Sequence, residues 1–148
     1  VEVFKLTPGT FVHVGALRAE AIASTPPVVQ DALVAGQDKP FIGLLAWPNL
    51  EACRRMIGKP QASMQDVCDD DAVRAHVREG LRKMAQAAHG ASSMRIARAL
   101  LMSEPPSIDG NELTDKGYIN QRAGLELRAA LVEKLYAEPP SGEVMIID

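Results

Sequence analysis

Strand-prone residues open the chain in two short runs, Val3 to Leu6 and Thr10 to Val14, on either side of Thr7-Pro8-Gly9. A Pro-Gly pair between such runs predicts a β-hairpin with its tip at Pro8-Gly9. From Gly15 to Ser24 the positions of Leu17, Ala21 and Ile22 follow a helical period, and Pro26-Pro27 stops it. Two more strands are expected at Val28 to Ala35 and Phe41 to Trp47, joined by Gly36-Gln-Asp-Lys-Pro40. The second is apolar nearly throughout, which predicts a central strand covered on both faces.

Asn49 suits the cap of a helix carrying Leu50, Cys53, Met56 and Ile57, with Gly58 and Pro60 closing it. The next expected helix is the longest. Asp69-Asp70-Asp71 put negative charge at its amino end, and Val73, Val77, Leu81, Met84 and Ala88 step along one face. Met94 to Met102 reads as a strand ended by Glu104-Pro-Pro-Ser107. A polar turn follows, and Ile119, Ala123, Leu127, Leu131 and Leu135 then predict a final helix with apolar residues at a strict spacing of four. In the tail, Val144 to Ile147 is open to two readings, a further strand or a loose end. This order of elements gives an α+β fold, a small sheet with an N-terminal β-hairpin flanked by about four helices.

Composition narrows the class. At 148 residues the chain is long enough for one buried core and too short for two, and 47% hydrophobic against 24% charged residues excludes a disordered chain. No apolar run is long enough to cross a bilayer, so no membrane partner is expected. A formal charge of -3 gives no global attraction for nucleic acid, and none is expected as a partner. Cys53 and Cys68 form no CxxC pair, and His13, His76 and His89 are scattered, which points to reduced thiols, a cytoplasmic protein and no metal site. The start at Val1, without an initiator methionine, reads as a piece of a longer protein.

Signatures of the common nucleophile, metal and phosphate-cradle sites are absent: GxSxG, HExxH, GxxxxGK[ST] and GxGxxG do not occur. The cysteines read as packing residues, and so do Met94, Met102 and Trp47. Arg74, Arg78 and Arg82 form a basic stripe that reads as a solvated face or, alternatively, as a contact for the phosphates of a ligand. Two glycine turns remain, Pro8-Gly9 and Lys116-Gly117. Gly117 tolerates positive φ, so the chain can bend there and present Lys116 from a tip. A cation so placed suits a negatively charged ligand and equally suits water.

Three stretches, taken in order, carry a resemblance. Lys5-Leu-Thr-Pro-Gly-Thr-Phe-Val-His-Val-Gly-Ala-Leu-Arg18, Val29-Gln-Asp-Ala-Leu-Val-Ala-Gly36 and Glu112-Leu-Thr-Asp-Lys-Gly-Tyr-Ile-Asn-Gln-Arg122 resemble the C-terminal lid domain of adenylate-forming (AMP-binding) acyl-CoA synthetases. Their spacing is most similar to the feruloyl-CoA synthetase branch, which activates aromatic acids. The resemblance runs from about Phe4 to Tyr136, with Arg98-Ala-Leu-Leu-Met-Ser-Glu-Pro-Pro-Ser107 leading into the last stretch. It implies a hinge-proximal hairpin over 1–14, a lid over 15–138, a tail over 139–148, and a large N-terminal ATP- and acid-binding domain outside this chain.

The resemblance also implies a chemistry in two halves, with ATP and CoA as cosubstrates and Mg bound mainly by the N-terminal domain. A carboxylate and ATP give an acyl-adenylate and pyrophosphate; the CoA thiol then displaces AMP. The expected partners are that domain and small-molecule substrates. Lys116 is the expected catalytic residue, supported in its turn by Gly117 and Tyr118, and Pro8, Gly9 and Thr10 are expected beside the pantetheine channel. Tyr118 stands where the commoner family form has its lysine, directly after the glycine, and Lys116 lies on the other side. The Pro-x-Glu that often follows the hairpin is absent, with Val14, Gly15 and Ala16 in its region. A stand-alone α+β binding or oligomerisation module, or the lid of a synthetase for another acid, is the alternative.

Overall fold

Every residue of the strand Ile42–Pro48 is buried, as its unbroken apolar sequence predicts, and the rest of the domain is layered on its two faces. The computed structural model describes residues 2–148; Val1, part of the expected hairpin over 1–14, lies outside them. In chain order the elements are β1 (Val3–Lys5), β2 (Phe11–His13), α1 (Val14–Ser24), β3 (Val29–Ala35) and β4 (Ile42–Pro48). Then come α2 (Leu50–Ile57), α3 (Met64–Asp69), α4 (Asp71–Ala87), a 3₁₀ turn (Ser92–Met94), β5 (Ile96–Leu101), α5 (Gln121–Leu127), α6 (Ala129–Tyr136) and β6 (Met145–Ile146).

The main sheet runs β3-β4-β5-β6. β4 pairs antiparallel with β3 and parallel with β5, the crossover being the helical segment from α2 to α4. Alternate side chains on these strands feed two cores. Ala32, Val34, Ile42, Leu44, Ala46, Ala99 and Leu101 face one layer with β1, β2, α1 and α4. Leu33, Ala35, Leu45, Trp47, Leu100 and Met102 face the other, with Leu135 of α6 and the partly buried Ile119 and Leu125. The hairpin β1-β2 is a separate two-stranded sheet within the first layer.

The helices differ from expectation in three places. A short helix, α3, precedes the predicted long one; Ser63 and Asp66 form a reciprocal capping box at its start, and the Ser63 N–H holds the Asp66 carboxyl below the usual range. The three aspartates are consequently divided: Asp69 ends α3, while Asp70 caps α4 by accepting from the Val73 N–H at 3.0 Å. The single final helix is broken at Arg128 into α5 and α6. A spacing of four drifts about 40° per step around a 3.6-residue helix, so five such positions cannot share one face. Leu127 is accordingly 52% exposed.

Met94 belongs to the 3₁₀ turn and not to the strand. In the tail, Met145 pairs with Ala99 and Ile146 with Arg98, adding a strand to the sheet. Arg98 also donates to the carbonyls of Leu135 (3.0 Å) and Ala137 (3.1 Å) and pairs with Glu138. A cation thus meets the carboxyl end of α6, the end that favours positive charge.

Cys53 and Cys68 are buried free thiols, consistent with packing roles. Burial, followed by the nearby Asp69 charge, pushes the Cys68 thiol from 9.0 up to about 12, and burial with Asp70 raises Cys53. The unfolded chain releases these protons first. The stability that the protonated Cys68 contributes is therefore complete below pH 9 and is lost as pH rises toward about 12. Both thiols are expected to react slowly with an aromatic disulfide reagent at pH 8 in the folded protein and at once in denaturant. Rapid labelling of the native protein would contradict this burial.

Candidate active-site turns

Beyond β5 the chain leaves the sheet at Glu104-Pro-Pro, where the Glu104 carbonyl accepts from the Trp47 indole N–H at 2.8 Å. Prolines cannot continue a ladder, so the backbone turns away. Its next regular feature is a small hairpin that periodicity alone does not announce. Asn120 N–H donates to the Glu112 carbonyl (2.8 Å), Leu113 bridges Ile119, and Thr114 N–H donates to the Tyr118 carbonyl (2.8 Å). At the tip, Gly117 N–H closes a turn onto the Thr114 carbonyl at 2.9 Å, and the Thr114 hydroxyl accepts from the Tyr118 N–H at 3.0 Å. Gly117 has φ +83, a left-handed conformation that side chains rarely adopt.

Lys116 sits exposed at this tip, and none of the ion pairs among the described residues holds it. Tyr118, on the other side of Gly117, is 70% exposed. An ammonium group presented this way fits an anionic ligand such as a phosphate. Sequence reasoning missed what lies beneath it. Glu112 is fully buried and accepts from Arg128 through both carboxylate oxygens, Nε to Oε2 at 3.0 Å and Nη2 to Oε1 at 2.9 Å. Glu112 Oε1 also accepts from the Ser107 N–H at 2.9 Å, Arg128 Nη2 donates to the Pro105 carbonyl at 3.0 Å, and the guanidinium lies 5.4 Å from the Trp47 ring centre. Removing either partner would strand a buried charge, at a cost of about 3–5 kcal/mol.

Gln121, the first residue of α5, is buried against the edge strand β3. Its side-chain oxygen accepts from the Val34 N–H at 3.0 Å, and its amide nitrogen donates to the Val34 carbonyl. One side chain thereby supplies both hydrogen bonds that a further strand would have made. Gly124 lets α5 come this close, since a Cβ there would stand 2.5 Å from Leu33 Cδ2 and 3.2 Å from Glu112 Oε2.

The other turn is held differently. Leu6 N–H donates to the Thr10 carbonyl (2.8 Å) and Gly9 N–H to the Leu6 carbonyl (2.9 Å), with Gly9 at φ +99. The hairpin is seated on the β3–β4 connection, with Thr7 N–H donating to Lys39 (2.9 Å) and Asp38 N–H to Lys5 (3.0 Å). The Thr10 and Ser92 hydroxyls are 3.1 Å apart. Pro8 and Gly9 are exposed, and a Cβ added at Gly9 meets nothing within 4 Å. The structure therefore brings Lys116, Gly117 and Tyr118 together in one turn and Pro8, Gly9 and Thr10 in another. The hairpin's core residues Phe4, Leu6 and Val12 belong to one face of the sheet, and Ile119 and Leu125, which flank the lysine turn, to the opposite one.

Other features are accounted for structurally. Arg74 donates to the carbonyls of Gly142 (2.8 Å) and Glu143 (3.2 Å), and Arg82 forks onto Glu79, so two of the three stripe arginines are engaged. A surface hollow is lined by Asp66, Asp69, Asp70 and Asp71, near neither turn in sequence and partly occupied with helix capping. Among the described residues no group of three His, Cys, Asp or Glu side chains is placed to hold a metal ion. No described helix is long and apolar enough to cross a membrane.

Residues 13–139 match the family described as the AMP-binding enzyme C-terminal domain. Among solved structures, the adenylation domain of a carboxylic acid reductase from Segniliparus rugosus, bound to AMP and a co-purified carboxylic acid, aligns with a TM-score of 0.69 at 23% identity, over 92% of this chain and 20% of that one. The adenylation domain of the Mycobacterium chelonae carboxylate reductase gives 0.70 at 24% identity, over 92% and 19%. An A-PCP didomain of the Segniliparus rugosus enzyme with AMP gives 0.68 at 24%, over 93% and 18%. This chain thus spans about a fifth of the length of these structures, which at this identity share its fold. No curated protein matches it.

The Gln121 clamp is directly testable. Gln121→Met keeps the volume and leaves the Val34 N–H and C=O without partners, so we expect a loss of about 1–3 kcal/mol in denaturant unfolding, with faster hydrogen exchange at the Val34 amide. An unchanged Val34 amide would show that the edge is satisfied without this side chain.

Proposed function

The chain belongs to the AMP-binding enzyme C-terminal domain family, and on that premise we propose that it is the mobile lid of an ATP-dependent acid–thiol ligase, with CoA as the thiol and an aromatic, feruloyl-like carboxylic acid as substrate. Its partner is a large N-terminal domain of the same polypeptide, which binds ATP, Mg and the acid. In the first half-reaction a carboxylate oxygen attacks the α-phosphorus of ATP and pyrophosphate leaves. The Lys116 ammonium offsets the charge that develops there, a contribution strongest where water is excluded. In the second, the CoA thiol loses its proton and attacks the acyl carbonyl carbon, and AMP leaves.

The observation that carries this reading is that the apolar residues of the glycine hairpin pack on one face of the sheet and those beside the lysine turn on the other. A rotating lid can offer each face in turn, lysine for adenylation and the bare hairpin for thiol transfer. Gly9 adds support. Nothing within this domain fills the space beside it, so a need for absent side chain there would come from a ligand passing outside the domain.

A second reading changes only the thiol. The A-PCP didomain among the solved relatives favours an acceptor tethered to protein in place of free CoA. Acid-dependent formation of a CoA thioester by the full-length protein separates the two.

In the full-length protein, Lys116→Ala should lower acid-dependent ATP–pyrophosphate exchange by about 10²-fold or more while leaving thioester formation from preformed adenylate nearly intact. Equal loss in both assays, or loss in neither, rejects Lys116 as the phosphate contact. Gly9→Trp should do the reverse, sparing exchange and blocking thioester formation. Normal thiol transfer in that variant removes the hairpin from the channel.

A further inference from the structure

Of the four buried polar side chains among the described residues, three lie in or beside the lysine turn: Glu112, Gln121 and Arg128. Stability alone does not call for this. A buried ion pair is commonly replaced by apolar residues of similar volume with no loss, because desolvation offsets the attraction between the charges. What such a pair supplies is direction, since a planar guanidinium fork meets a carboxylate in few orientations. Here the fork engages both oxygens of Glu112 while a third donation goes to the Pro105 carbonyl, so little angular freedom is left.

The two residues at the foot of the small hairpin are both fastened. Glu112 opens it, and the Glu112 carbonyl accepts from the Asn120 N–H. Its side chain is locked to Arg128 at the break between α5 and α6. The returning arm runs directly into Gln121, which grips Val34 on β3. A stem tied at one point can swivel; one tied at two separate points cannot. The break at Arg128 that divides the expected final helix is the place where this side chain reaches inward.

We infer that the buried Glu112–Arg128 pair is a positioning device that, with the Gln121 clamp, sets the direction in which Lys116 is presented. The inference rests on the proposed role of Lys116 for its catalytic consequence, and on geometry alone for its structural one. The two residues touch no substrate and act through the turn.

The test uses the full-length protein with Glu112→Gln, Arg128→Lys and Lys116→Ala, and Val77→Ala as a control that weakens the opposite core. Glutamine loses the charge and lysine loses the fork at nearly unchanged side-chain length, and each variant is assayed below its own measured Tm, so that the stability cost of disturbing the pair is separated from its effect on the turn. Both positioning variants are expected to lower kcat for acid-dependent ATP–pyrophosphate exchange by about tenfold to 10²-fold with KM little changed, the loss that small misplacement of a catalytic group brings. Both should also speed hydrogen exchange at the Thr114, Gly117 and Asn120 amides. Val77→Ala should lower the Tm without either effect. If the amides stay protected, or if they loosen while kcat holds and Lys116→Ala is inactive, the positioning role is overturned. If Lys116→Ala is itself fully active, the phosphate reading falls, and the amide exchange alone decides whether the pair orients the turn.

Discussion

β4 is buried on both of its faces, and this single constraint organises the domain. A strand with apolar side chains pointing both ways must be covered twice, so helices are required above and below the sheet. α1 and α4 cover one side and α6 the other, with Leu135 packed against the second core. The apolar residues of the hairpin, Phe4, Leu6 and Val12, pack in one layer, and Ile119 and Leu125, beside the lysine turn, pack in the other.

The two turns are also held by different kinds of force. The Pro8-Gly9 hairpin rests on backbone hydrogen bonds to Lys39 and from Asp38, next to its apolar residues Phe4, Leu6 and Val12. The Lys116 turn is held through side chains, by a desolvated ion pair and an amide that substitutes for a strand. Backbone bonds at a loop tolerate many side chains. A buried carboxylate and guanidinium tolerate almost none, because a missing partner leaves a charge in low dielectric. Precision is thus concentrated beneath the turn that carries the charge.

Much of this was legible from residue order. The apolar run of β4, the Asn49 cap of α2 with its Gly58 stop, the Val73-Val77-Leu81-Met84 face of α4 and the exposed tip at Lys116-Gly117 all appear where the pattern puts them. α3 was hidden because six residues are too few to display a period, though Ser63 and Asp66 carry its capping signal. The break in the final helix is not visible in residue order, because an apolar spacing of four looks regular in sequence while rotating around a real helix. Nothing in residue order marks Glu112, Gln121 and Arg128 as buried, because each is polar, and Glu112 and Arg128 are 16 residues apart.

Residue order by itself determined the local features: turns where Gly9 and Gly117 permit positive φ, caps where Asn49 and Asp70 reach a nearby N–H, and strands or helices wherever the apolar period is long enough. These depend on contacts within a few residues. The tertiary structure alone decided that β4 and β5 run parallel, that the tail completes the sheet at β6, that the apolar residues beside the two turns pack in different cores and that an ion pair lies beneath one of them. Each of those depends on partners distant in the chain, and on how much water is removed when they meet. A linear pattern of polar and apolar positions does not contain that quantity.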